Sequence, residues 1–291
     1  MSARAARGAK MTREAMSQIW LCAKQELTLA VRSRWLQIFA VVFAGLALLV
    51  ASSGYILSGG SGVQDFARTA VSLVQLVLLL VPLAALVFGV LELTPDRGAA
   101  ELLYSQPVAR STILAGKLLG LFQALVAAQA IGFGAAGFIV FSGAGESGLA
   151  GFVGVVLGSI VLTAVFLGLA ALVAAGHFGR RRTRALAIAM VIWFGGVVLF
   201  DVAALGLAST LRSGQASRLL ITSVLVNPVD AVRTAALMGI EGTAAFGAAS
   251  LAFLRFTGGP VGAAVWLGGS LLAWIIVPPL LAAIRLRRSD I

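Results

Sequence analysis

Six stretches of this chain stay apolar for long enough to cross a bilayer, which takes about 20 helical residues. They run approximately over 36–57, 70–91, 118–141, 149–175, 185–207 and 260–284. No other feature constrains the fold as much. In hydrocarbon a backbone N–H or C=O has no water to bond, so each run must close its hydrogen bonds within itself as a helix. Composition agrees: 60% of the 291 residues are hydrophobic and 11% are charged, against roughly 45–50% and 25% in soluble domains. The sequence predicts an all-α polytopic membrane protein with six transmembrane helices in one domain, 1–291.

The loop charges set an orientation. With the N-terminus in the cytoplasm, 17 of the 22 Lys and Arg fall on the inner side, and Arg68, Arg212, Arg218, Arg233 and Arg255 fall outside. That asymmetry is a strong positive-inside signal and puts both termini in the cytoplasm. The formal charge of +11 does not point to nucleic acid, because the basic residues flank apolar runs instead of gathering on one soluble module. Basic segments beside a membrane attract anionic lipid.

Residues 13–35 read as an amphipathic helix. Met16, Ile19, Trp20, Ala23, Leu27, Ala30 and Val31 recur at three- and four-residue steps. The pattern suits a helix lying in the cytoplasmic interface with Trp20 and Trp35 at headgroup level; a cytoplasmic helix packed on protein is the alternative. On the other side, 208–259 is polar at its start and apolar later, and its apolar pieces are too short to span. Helices there are expected to be re-entrant or to lie at the outer interface. A seventh span is opposed by the insertion cost of Arg233, Glu241 and Arg255.

Little in the chain can do chemistry. One cysteine, Cys22, and one histidine, His177, cannot build a standard zinc or copper site, and the five methionines do not cluster. His177 reads as a residue at the end of the fourth span. Ala115-Gly116-Lys117 lacks the leading glycine and the Ser/Thr of a phosphate loop, so this chain has no ATP cradle of that kind. Asp201 is a carboxylate inside a predicted span, or near its outer end in interfacial water; with Gln75, Gln123 and Gln129 it makes a candidate intramembrane polar site. Pro82 is expected to kink the second span. Gly116-x-x-x-Gly120 and Gly154-x-x-x-Gly158 are candidate helix contacts, a weak signal among 34 glycines.

The polar island at 92–117 separates the second and third spans. It offers a turn or helix start at Thr94-Pro95-Asp96, a short helix from Gly98 to Tyr104, and Ser111 as a cap for the next helix. A short helix held between two spans can carry the movement of a cytoplasmic partner into both; an ordinary solvated loop is the alternative.

The residues Glu92, Asp96-Arg97-Gly98, Glu101-Leu102-Leu103, Ser105-Gln106-Pro107-Val108, Arg110-Ser111, Leu114 and Gly116-Lys117 resemble the cytoplasmic loop of ABC type-2 permeases. The run from Ala23 to Trp35 is similar to the elbow helix that opens those proteins. Asn227-Pro228-Val229-Asp230 is similar to a segment of the subgroup that serves maturation of nitrous oxide reductase. The resemblance implies a non-catalytic membrane subunit of the bacterial inner membrane that works as a homodimer. ATP-Mg would be bound by a separate cytoplasmic ATPase and no cofactor by this chain. Glu92, Asp96, Arg97 and Glu101 would contact that ATPase. A periplasmic β-helical protein would dock on 208–259, with Asn227, Pro228, Asp230 and Arg233 in the contact. No span supplies soft ligands for a copper ion, so the expectation is a conformational stroke or a sulfur-containing cargo. A secondary transporter, or a non-transporting anchor for an assembly, are the competing readings. A catalytically dead ATPase partner separates the anchor, and a neighbouring gene for a nucleotide-binding subunit separates the secondary transporter.

Overall fold

The computed structural model describes residues 2–56, 63–94, 108–144, 149–176, 181–242 and 248–288. The described residues are helical throughout, without strands. In chain order the helices are α1 (Ser2–Arg32), α2 (Arg34–Ile56), α3 (Val63–Leu93), α4 (Arg110–Ala144), α5 (Leu149–Ala174) and α6 (Arg182–Phe194). A π turn follows (Gly195–Leu199), then α7 (Phe200–Ser209), α8 (Ser213–Val226), α9 (Pro228–Glu241), α10 (Ala248–Thr257) and α11 (Pro260–Arg288).

Among the described residues, six helices or helix runs are long and apolar enough to cross a membrane, Arg34–Ser53, Thr69–Leu93, Arg110–Phe141, Gly151–Ala174, Arg182–Ser209 and Pro260–Arg288, and the bent pair Gly214–Val226 with Pro228–Ile240 would make a seventh if it were one span. The six are the runs expected from sequence. The third begins two turns earlier than expected, because Arg110 to Lys117 are already helical. Ser111 therefore lies inside α4; its hydroxyl accepts a hydrogen bond from Arg287 Nη2 (3.3 Å) and does not cap the helix. His177 and the expected short helix at 98–104 lie outside the described residues.

The helices are not equivalent. α3 and α5 form the interior and pack along each other, with α2, α6 and α9 against α3, and α9 and α11 against α5. α2, the α6–α7 run and α11 turn most of their surface outward. The α3–α5 crossing is close because Gly89 presents no side chain: a Cβ there would stand 2.5 Å from that of Ala170. Small residues let backbones approach in lipid, where packing and not exclusion of water drives association. A row of rings, Phe43 to Phe133 (5.2 Å) and Phe133 to Phe152 (6.0 Å), both edge to face, joins α2, α4 and α5.

α1 settles against α4. Gly116 and Gly120 form a flat strip on α4, and the backbone of α1 lies on it from Ile19 to Leu27. A Cβ on Gly120 would stand 2.6 Å from the Ala23 carbonyl oxygen and from the Glu26 Cβ. Of the two glycine pairs seen in sequence, this one makes a helix contact through both members. In the other, Gly158 lies under Val232 of α9 while Gly154 faces open space. The expected apolar face of α1 is thus divided: Ala23 and Ala30 are buried, while Trp20 (59% exposed) and Met16 point outward.

The segment after α7 forms a bent pair. α8 and α9 meet at 99° around Asn227, the geometry of a broken span or a re-entrant loop. Asn227 is the N-cap of α9, accepting from Val229 N (3.0 Å), and Pro228 starts the helix where a missing N–H costs nothing.

Overpacking a close helix contact costs about 1–3 kcal/mol. Gly120→Leu is expected to lower the thermal midpoint in detergent and to speed maleimide labelling of Cys22, which faces α4. Gly45→Leu, at a glycine with open space around it, is expected to leave both unchanged.

Candidate functional site

Three polar clusters join helices that are distant in sequence. The first lies where the 95–107 segment leaves α3 and enters α4. Lys117 on α4 reaches two partners: its Nζ pairs with Glu26 Oε2 on α1 and donates to the Glu92 carbonyl oxygen near the end of α3, both at 3.1 Å. One ammonium thereby binds α1, α3 and α4 together. Both side chains of the pair are largely covered. Burial pushes the Glu26 carboxyl up from its ordinary range, and the Lys117 charge beside it pulls partly the other way. Asp96, Arg97 and Glu101 lie outside the described residues; Glu92 is half-buried at the rim of this junction.

The second cluster ties the π turn, α7 and α9. Arg233 Nη1 donates to Asp230 Oδ1 (2.9 Å) on its own helix and to Asp201 Oδ2 on α7. Asn227 Nδ2 donates to the Gly196 carbonyl oxygen in the π turn (2.8 Å) and to Asp230 Oδ2 (3.1 Å). A π turn wraps one extra residue, and such turns recur at functional sites. Here the side chain at the 99° bend bonds a carbonyl of that turn. Asn227 is 4% exposed and Asp230 6%, so the polar atoms of the Asn-Pro-x-Asp motif serve the protein's own helices.

The third cluster is small. Gln129 on α4, 2% exposed, donates to Thr163 Oγ1 on α5 (2.9 Å), and Thr163 donates to the Ser159 carbonyl (2.8 Å). The structure does not bring Asp201, Gln75, Gln123 and Gln129 into one site. Asp201 belongs to the Arg233 cluster, Gln129 to the α4–α5 contact, Gln75 is exposed, and Gln123 is half-buried. Among the described residues no group of three or more His, Cys, Asp or Glu is placed to hold a metal ion.

Sequence reasoning missed Glu26 and Lys117 as a pair. The signal was present: Glu26 interrupts the stripe Ala23, Leu27, Ala30, and a carboxylate on a helix face that packs needs a cation opposite it.

Residues 20–291 match the model of the ABC-2 family transporter proteins. This chain belongs to the ABC-2 transporter family. The Stutzerimonas stutzeri protein named "probable ABC transporter permease protein NosY" is 35% identical over 282 residues, covering 94% of this chain and 99% of that one. The protein of the same name from Pseudomonas aeruginosa PAO1 is 33% identical over 265 residues, 89% of this chain and 94% of its own. The chain is thus a multi-pass membrane protein and an ABC transporter permease subunit, and the three clusters are features of that permease.

Two outcomes follow from the geometry. Because the folded state raises the Glu26 pKa, it holds that proton more tightly than the unfolded chain does. Stability contributed at low pH is therefore lost as pH rises from the ordinary Glu range through the raised value, and stays level above it. Glu26→Gln is expected to flatten that fall in a melting series over pH, whereas Lys117→Met, which strips the carboxylate of its counter-charge, is expected to deepen it. In the second cluster, Arg233→Gln leaves two carboxylates facing each other. It is expected to destabilise the permease, and adding Asp201→Asn is expected to recover part of the loss, with a coupling of about 1–3 kcal/mol in the double-mutant cycle.

Proposed function

We propose that this permease couples ATP hydrolysis by a separate cytoplasmic ATPase of the NosF type to a conformational change of its spans, in the maturation of the copper site of nitrous oxide reductase. The observation that carries the mechanical part is the Lys117 junction. The segment holding Asp96, Arg97 and Glu101 has both ends anchored there, on α3 at Glu92 and on α4 at Lys117. A push on that segment reaches α1, α3 and α4 together, and rigid-body helix movement follows. The names of the two relatives support the maturation role, since NosY-type permeases serve that system.

In this reading the permease works as a homodimer in the bacterial inner membrane. Both termini are cytoplasmic, α1 lies along the inner interface, and 208–259 is periplasmic. Glu92, Asp96, Arg97 and Glu101 form the ATPase contact. A NosD-like β-helical protein docks on the outer segment, which the bend at Asn227 shapes; Asn227, Asp230 and Arg233 act there by holding α9 in place against α7 and the π turn. ATP-Mg binds on the ATPase alone. The stroke is passed to the outer partner, or moves a sulfur-containing cargo; a copper ion lacks soft ligands along the spans.

The test is Arg97→Ala with Glu101→Ala. Membrane insertion is expected to persist, while stimulation of the co-expressed ATPase by the permease and assembly of the reductase copper site are both lost. Wild-type levels of both in the double variant would overturn the coupling assignment. ATP-dependent uptake of labelled copper into proteoliposomes, requiring this permease, would overturn the preference for a stroke.

A further inference from the structure

Two acidic side chains meet on one nitrogen of Arg233. Its Nη1 donates to Asp230 Oδ1 (2.9 Å) and to Asp201 Oδ2. Oxygens bonded to the same nitrogen are neighbours, and the two carboxyl groups stand close enough for one to donate a proton to the other. The guanidinium spends one nitrogen on both, while its Nε is buried with no hydrogen-bond partner. Asn227 Nδ2 donates to Asp230 Oδ2 (3.1 Å) but brings no charge. Among the described residues, the charges that act on Asp230 are those of Asp201 and Arg233. The helices packed against α9 add little. α5 has no ionisable side chain; α8 carries the exposed Arg218, and α11 carries Arg285, Arg287 and Arg288 in its last turn. α3 carries Glu92 in its last turn, and Asp65 and Arg68 in its first two, where the side chains lie outside the described residues.

Fully ionised, the cluster holds two negative charges against one positive, and the Asp230 side chain is only 8% exposed. An uncompensated charge in such a place is costly. Carboxylates this close do not ionise together, and one of them keeps its proton. We propose that Asp201 and Asp230 hold one proton between them, and that this proton latches α7 to α9. With the proton bound, one acid donates to the other, Arg233 pairs with the remaining negative charge, and the cluster is neutral. As pH rises the proton leaves to water, the two carboxylates repel, and the latch opens. Among the described residues this cluster is the polar tie between α7 and α9. α9 is also held in the core by Val229, Val232 and Ala236, so α7 is the helix that gives way. It follows directly on the π turn Gly195–Leu199, where a one-residue offset lets the hydrogen-bond register shift. A change of one charge thus acts on an element able to move. The competing arrangement is a permanent ion triad with both carboxylates ionised at every pH.

The test uses the full-length permease in lipid nanodiscs and needs no ATPase. Infrared spectra over a pH series detect the C=O stretch of a protonated carboxylic acid, with Glu26→Gln as the parent so that the other covered carboxyl is removed. The expected result is a band present at neutral pH that fades as pH rises. Asp230→Asn and Asp201→Asn are each expected to abolish it, since either leaves a single carboxylate facing Arg233. Spin labels at Leu205→Cys on α7 and Ala235→Cys on α9, both exposed positions, with Cys22→Ser, read the latch. With both aspartates present, one distance is expected while the proton is held and a second, longer one as it leaves. Both Asn variants are expected to keep the short distance across the series, and either one suffices if the other fails to fold. A neutral-pH carboxyl band unchanged by either substitution would overturn the proposal, leaving the permanent ion triad. A band that titrates while the distance stays fixed would also overturn it, by showing that the proton latches nothing.

Discussion

Among the described residues, several departures from regular helix are met by a side chain from another helix that bonds a backbone carbonyl. The rest of the arrangement depends on this, because a carbonyl released in hydrocarbon without a partner costs several kcal/mol. Pro82 interrupts the ladder of α3, and Trp193 Nε1 donates to the Leu79 carbonyl one turn before it (3.0 Å). The π turn leaves Gly196 to Asn227. The end of α8 exposes its last carbonyls, and two donors on α11 take them: Ser270 Oγ to Leu225 and Trp274 Nε1 to Val226. The π turn and the 99° bend are each faced by polar side chains, Asn227 at the first and Ser270 and Trp274 at the second, and Trp193 adds a bond beside Pro82. Each of these bonds also fixes the position of one helix on another, so backbone satisfaction and tertiary structure are the same set of contacts.

Charge is handled in the same way. Lys117 and Arg233 each serve two acceptors on different segments. A buried ion pair is weak evidence of stability, since desolvation offsets much of its attraction. Its value here is geometric. Lys117 permits α1 to seat in one register only, with Glu26 opposite it and the backbone on Gly116 and Gly120. Arg233 ties α9 to α7, while the apolar stripe of Val229, Val232 and Ala236 packs α9 into the core. The polar groups cost free energy to bury and return positional definition where the helices cross.

What could be read from the chain follows from this division. All six spans were legible, because crossing a membrane is decided by local composition and needs no knowledge of neighbours. The bent segment was legible in outline, since Asn227-Pro228 carries its own N-cap and helix start and Arg233 forbids a plain span. The docking of α1 was not. The same face of Ala23, Leu27 and Ala30 suits lipid or protein, and only the glycine strip on α4, a hundred residues away, decides. Asp201 read as a carboxylate inside its span or near the outer end in interfacial water; its partner, Arg233, sat in a segment assigned to the outside, and pairing across 32 residues has no local signature. The π turn at Gly195–Leu199 has none either, since its Gly196 carbonyl accepts from Asn227, a residue 31 positions away.

These contacts also make one continuous series through the molecule. It begins at Lys117, which holds the Glu92 carbonyl of α3. Along α3, the Leu79 carbonyl receives Trp193 of α6. Two residues after Trp193 the π turn begins, and its Gly196 carbonyl receives Asn227, which starts α9 and leads to Arg233 and Asp201. Contact alone does not establish coupling; that requires an element with two arrangements whose balance both ends can bias. The π turn is the element of this series suited to that, because a single-residue offset in a helix can be relieved by shifting one hydrogen-bond register. The neighbouring α3–α5 crossing cannot play the part: Gly89 against Ala170 leaves no room for sliding, and close-packed interiors shift between discrete states and do not deform gradually. On the proposed coupling, the interior pair is the fixed frame, and displacement is taken up at the α6–π–α7 run and the bent helices bonded to it.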